Sequence, residues 1–183
     1  EGQSGVHSTH RFVSSPVKFY PWASVSTVVE WEEHTRCLGW SDWTWKSVFV
    51  VEHTQDRPSL AGVQQTLAQA SEYFRQSKRG SFCLVLGEEA RPPDNSAREA
   101  FEEFFRTHPD VDVGIWIRNT GVWGAAVRSV ATGVFKIRLR SVRSTVFSNQ
   151  KECVEWIAER AGSSVESAGA FVEAMLKPKP ARI

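Results

Sequence analysis

The sequence predicts an α/β domain on a mainly parallel sheet, in the order β-α-β-α-β-α-β-α, with extra strands at its N-terminal edge and a helix appended at the C-terminus. Three observations predict it. From Trp45 onward, short apolar runs alternate with longer stretches of helical period, as crossovers between parallel strands require. Val occurs 22 times and Leu 7 times, and a β-branched excess of that size favours sheet. The 183 residues are 41% hydrophobic, enough for one compact core with a peripheral extension.

Residues 1–10 read as a flexible tail or expression remnant, 11–162 as the domain, and 163–183 as a C-terminal helix with a basic tail. Between residues 12 and 33, Val13, Val17, Phe19, Trp22, Val25, Val28, Val29 and Trp31 alternate loosely around Pro16 and Pro21, a pair of early strands. A turn at residues 39–42 leads into one strand from Trp43 to Val51, whose apolar end suits burial on both faces. Leu60, Val63, Leu67, Ala70 and Phe74 then share a helical face, and the helix closes on Arg75, Lys78, Arg79 and Gly80.

Phe82-Cys83-Leu84-Val85-Leu86 is a strand ended by Gly87 and a polar loop over residues 88–95. The next helix begins near Ser96, capped by Asn95 or Ser96. Its Ala97, Phe101, Phe104 and Phe105 face inward, and His108-Pro109 stops it. Residues 111–117 form a strand. After Gly121 a third helix turns Val122, Ala126, Val127, Val130 and Val134 inward, and residues 145–147 make a brief strand. Asn149 with Glu152 opens a fourth helix, and Ser163 with Glu166 opens the last.

Composition narrows the function. No apolar stretch approaches the roughly 20 residues of a membrane span, and no signal-peptide pattern opens the chain, so a soluble, cytoplasmic protein without a transmembrane segment is expected. A net charge of +1 gives no broad footprint for nucleic acid, which argues against that partner. Cys37, Cys83 and Cys153 contain no CxxC pair, so buried thiols are expected, with no metal site and no cofactor. His7, His10, His34, His53 and His108 are scattered, and no HExxH, GxSxG or phosphate-binding glycine loop occurs. Neither His34 with Cys37 nor the adjacent pair Glu88 and Glu89 makes a convincing catalytic set, so no catalytic residue is assigned and a non-enzymatic protein is expected.

Four segments carry a family resemblance: Ser47-Val48-Phe49-Val50-Val51 before a long helix, residues 82–86 before a polar loop, the acidic helix over residues 95–105, and Cys153-Val154-Glu155-Trp156-Ile157 after Val146-Phe147. Over residues 45–160 the chain resembles the bacterial STAS-like and SpoIIAA-like domains. The resemblance implies a signalling or regulatory module that binds a protein partner, self-association being compatible with it. The implied surface is the second-helix N-terminus with its preceding loop, Glu88, Glu89, Asp94, Asn95, Ser96 and Arg98. It also implies Ser96 as a site of phosphorylation. Members switched in this way read Asp-Ser-Ser-Gly or a close relative, whereas Pro93-Asp94-Asn95-Ser96-Ala97 stands here. A phosphate on Ser96 is favoured by the helix N-terminus and opposed by Glu88, Glu89, Asp94 and Glu99.

A second reading starts from charge. Between Val113 and Lys151 there is no Asp or Glu, while Arg118, Arg128, Lys136, Arg138, Arg140 and Arg143 form a candidate patch for an acidic partner, an anionic ligand or a lipid headgroup. In Lys136-Ile137-Arg138-Leu139-Arg140 an extended chain puts three cations on one face, which equally describes a solvated edge. On this reading the chain holds a small amphipathic anion in apolar space flanked by Arg138 and Arg140. A ligand binder of that kind needs an internal pocket of several hundred cubic ångströms; a docking module is packed solid. Trp22, Trp31, Trp40, Trp43 and Trp45 crowd the first quarter as either core or exposed patch, with Trp43 and Trp45 on one strand face.

Overall fold

The computed structural model describes residues 31–37, 39–54, 58–77, 80–119, 121, 124–125, 128–129 and 142–177. Its sheet has six strands in sequential order, β1 (Trp31–Cys37), β2 (Trp40–Trp45), β3 (Val48–His53), β4 (Ser81–Leu86), β5 (Asp112–Ile117) and β6 (Ser144–Phe147). The first three pair antiparallel and β3 to β6 pair parallel. The four apolar segments centred near Phe49, Val85, Ile115 and Val146 therefore lie side by side in one parallel array.

Helices α1 (Leu60–Gln76) and α2 (Asn95–Thr107) connect β3 to β4 and β4 to β5. Successive crossovers of one hand between sequential strands leave both on the same face. There Phe49, Val51, Phe82, Val113 and Ile115 pack against Val63, Leu67, Ala70, Phe74, Phe104 and Phe105. On the opposite face, α3 (Gln150–Ala161) and α4 (Val165–Leu176) cover Trp43, Trp45, Val48, Val50, Cys83, Val85 and Trp116. Ala168, Phe171 and Val172 are wholly buried, so α4 closes this second core. Trp40, Trp43 and Trp45 are core residues too. Trp31 keeps 36% of its surface exposed while its ring meets Phe171.

Four local expectations change. The strand expected from Trp43 to Val51 is two strands joined by a tight turn at Lys46 and Ser47. Its signal is missing because Lys46, not Gly or Asn, takes the left-handed φ of 53°. Contacts from elsewhere hold it there: Tyr73 donates to the Lys46 carbonyl, Lys46 Nζ donates to Ser163 at 3.0 Å, and Ser47 donates to the Arg160 carbonyl at 2.6 Å. The turn expected over residues 39–42 is confined to its first residue, since Trp40, Ser41 and Asp42 already belong to β2. The cap of α2 is Asp94, whose carboxylate accepts from the Ala97 N–H at 2.8 Å, so Asn95 and Ser96 are its first two helical residues. Likewise Ser164 caps α4, while Ser163 is held by Lys46. Asp and Ser at these earlier or later positions cap equally well, which is why sequence alone misplaces them by a residue or two.

Asn149 caps α3 as expected, accepting from the Glu152 N–H at 2.9 Å. Of the helix expected after Gly121, residues 124–125 and 128–129 are helical, and Val122, Ala126, Val127, Val130 and Val134, expected to face inward, lie outside the described residues. So do the early strand residues 12–30.

Candidate functional site

Parallel strands discharge their loops at their carboxyl ends, where α/β sheets hold ligands and partners. His53, Leu86 and Ile117 stand in register at that edge. The ladder continues one step further, with the Gly87 N–H donating to the His53 carbonyl at 2.7 Å and the Arg118 N–H to the Leu86 carbonyl at 2.9 Å. Past Gly87 the chain turns, the Ala90 N–H bonding the Gly87 carbonyl at 3.3 Å, then runs through Pro92 and Pro93 to the Asp94 cap. Two prolines fix φ along this connection and limit its freedom.

The loop and the first residues of α2 enclose an open cleft of about 870 Å³ lined by residues 88–96. None of its walls comes from the space between sheet and helices, where the core residues are buried. Glu88, Glu89 and Arg91 are exposed in it, and no described residue pairs with their charges. Asp94 caps the helix, Arg98 donates to the Asn95 side chain, and Ser96 is exposed at the second helical position. Five of the predicted docking residues line this one cleft, and Arg98 is tied to it through Asn95. Glu88 and Glu89 sit in a turn within the polar loop expected there.

The basic candidates do not share one surface. Arg118 lies at the cleft's edge of the sheet, 3.5 Å from Glu52 and over the Trp116 ring at 5.9 Å. Arg128 donates to the Asn119 carbonyl at 2.9 Å. Arg143 sits at the opposite end of β5, 2.6 Å from Asp112. The six residues of β5 separate the two ends by about 17 Å. Lys136, Arg138 and Arg140 lie outside the described residues. Thus the run without acidic residues is neutralised at both described ends by carboxylates from elsewhere in the chain, which sequence distance conceals.

Sequence reasoning missed a buried polar row under α1. Trp40 Nε1 donates to Thr66 at 2.8 Å, and Thr66 donates to the wholly buried Asp42 at 3.2 Å. His53 packs its ring against Trp40 and bonds the Gly39 carbonyl through Nδ1 at 3.2 Å. An acidic residue between tryptophans in a strand was the available signal. His34 bonds Thr44 at 2.8 Å and stacks on Phe49, and the side chain of Cys37 lies outside the described residues. Cys83 and Cys153 are free, buried, and 3.9 Å apart between β4 and α3. The contact with Cys153 and burial push the Cys83 thiol well above the usual thiol range. Among the described residues no group of three His, Cys, Asp or Glu side chains is placed to hold a metal ion, and no helix is long and apolar enough to cross a membrane.

A scan against protein-family models matches none of them, and a search of the curated proteins finds no match to this chain.

Proposed function

We propose that the chain is a STAS-like docking module that binds a protein partner, without catalysis, through the β4–α2 loop and the start of α2. One observation carries this reading: five of the six residues that the resemblance implies, Glu88, Glu89, Asp94, Asn95 and Ser96, line one open cleft at the sheet edge, in which no described residue pairs with Glu88, Glu89 or Arg91. Unpaired charges at a rim steer a partner of complementary charge and fix its register. The β-α order from β3 to α3 supports the STAS-like assignment. Phosphorylation of Ser96 would add charge at the mouth of the cleft and alter that complementarity.

The test is site-specific photo-cross-linking in the source organism. A photoreactive residue at Glu89 is expected to trap a discrete partner, and one at Glu173, on the exposed side of α4, is expected to trap none. Equal trapping at both positions, or at Glu173 alone, rejects the assignment. Ser96→Asp at the same time should change the yield at position 89; an unchanged yield removes the phospho-switch.

A further inference from the structure

The docking loop is tied to its neighbour through one side chain. Asn119, two residues past β5, donates from Nδ2 to the Glu88 carbonyl at 3.3 Å. Its Oδ1 accepts from the Gly121 N–H at 3.0 Å, and its own carbonyl accepts from Arg128 Nη1 at 2.9 Å. Gly124 presses on that same carbonyl: a Cβ at Gly124 would lie 1.9 Å from the Asn119 oxygen, so no side chain fits there. A carboxamide donates and accepts at once, which a carboxylate does not. Asn is therefore suited to join two loops that the parallel ladder brings side by side.

The geometry points to Asn119 as the positioning residue of the docking surface: it fastens the Glu88 end of the cleft to the end of β5, where Arg128 in turn bonds the Asn119 carbonyl. This rests on the docking reading above. Glu88 and Glu89 are exposed on the loop so held, and Arg128, itself partly exposed, bonds the Asn119 carbonyl.

Asn119→Asp separates this role from a local turn, because it keeps the acceptor for Gly121 and loses the donor to Glu88. Amide hydrogen exchange is followed in the free protein for Ala90, whose N–H bonds the Gly87 carbonyl in the loop, and for Ile115 and Ile117 in β5. Loss of one hydrogen bond worth about 1 kcal/mol corresponds to roughly fivefold faster exchange in the loop. The expected result is that acceleration in both Asn119→Asp and Asn119→Ala, with β5 unchanged and a lower cross-linking yield at position 89. Exchange in Asn119→Asp equal to wild type overturns the proposal in favour of a local turn, and equal acceleration in β5 overturns it in favour of general loosening. If the loop loosens but cross-linking is undiminished, the positioning role fails while docking stands. If the loop loosens and the unsubstituted protein traps nothing at position 89, the docking reading itself fails.

Discussion

The two ends of the parallel sheet differ in how much charge the described residues leave unpaired. At the amino end, Asp112 holds Arg143 at 2.6 Å and Arg160 at 3.0 Å, Arg160 also reaches Glu159 and lies 5.6 Å over Trp156, and Ser47 closes on the Arg160 carbonyl. At the carboxyl end Arg118 lies 3.5 Å from Glu52, but Glu88, Glu89 and Arg91 face the cleft with no partner among the described residues. An ion pair made within the chain gives up its charge to packing. A charge left open keeps its full field for something outside. The difference shows which end spends its charges on holding the fold, and it is the contrast on which the docking proposal rests.

The comparison breaks most visibly at Trp156. Its ring is 7% exposed, packs on Phe147, and covers Gly114 so closely that a Cβ there would lie 2.9 Å from it. Trp156→Ala empties this space and removes the platform under Arg160, so a loss of about 3–5 kcal/mol is expected in urea unfolding. A loss below 1 kcal/mol would mean that α3 is not seated as described. Asp112→Ala comes next, leaving Arg143 and Arg160 without their shared carboxylate. Because Arg143 is largely exposed and Arg160 keeps Glu159, solvent screening limits the cost to about 1–2 kcal/mol by the same measurement. Capture of a partner at position 89 should survive in this variant at temperatures where it is folded.

The contact that seats α3 on the middle of the sheet gives a pH test. The folded Cys83 thiol titrates above its ordinary value of 9.0, so the unfolded chain loses this proton first. Its contribution is complete below that pH and is lost as pH rises toward the folded-state value, at a limiting slope of about 1.4 kcal/mol per unit. Wild type should therefore lose more stability between pH 9 and 10 than Cys83→Ala, measured by urea unfolding at each pH. Equal slopes would show that this thiol ionises alike in both states.

Much of this architecture is legible in the sequence, because local pattern and burial coincide. The apolar cores of β3, β4 and β5 and the inner faces of α1 and α2 need no distant information to be read. Lys46 is different. Its left-handed turn is held by Tyr73, Arg160 and Ser163, residues that the chain brings up from far away. The charge pattern misleads for the same reason, since Arg118 and Arg143 find Glu52 and Asp112 only across the sheet. The candidate docking residues are legible as a loop preceding an acidic helix, but that five of them line one cleft depends on Pro92, Pro93 and the Asp94 cap folding the loop back toward α2. Asn119 carries no local signal at all, because its partner Glu88 lies 31 residues earlier.

The smallest effect on stability should come from the proposed docking surface. Glu88→Lys with Glu89→Lys reverses two exposed charges that no described residue pairs with, and surface substitutions of that kind shift stability by no more than about 0.5 kcal/mol. Arg91 then stands beside two cations rather than two anions, so a partner selected by the original pattern meets the opposite field. Cross-linking from a photoreactive residue at Ser96 should fall at least tenfold, which corresponds to about 1.4 kcal/mol of binding. Raising the salt concentration should weaken capture by wild type for the same reason, since rim charges are screened over about 8 Å at physiological ionic strength. If the double reversal costs more than 2 kcal/mol in urea unfolding, the loop belongs with the clasp at the other end, and the contrast between the two ends of the sheet disappears.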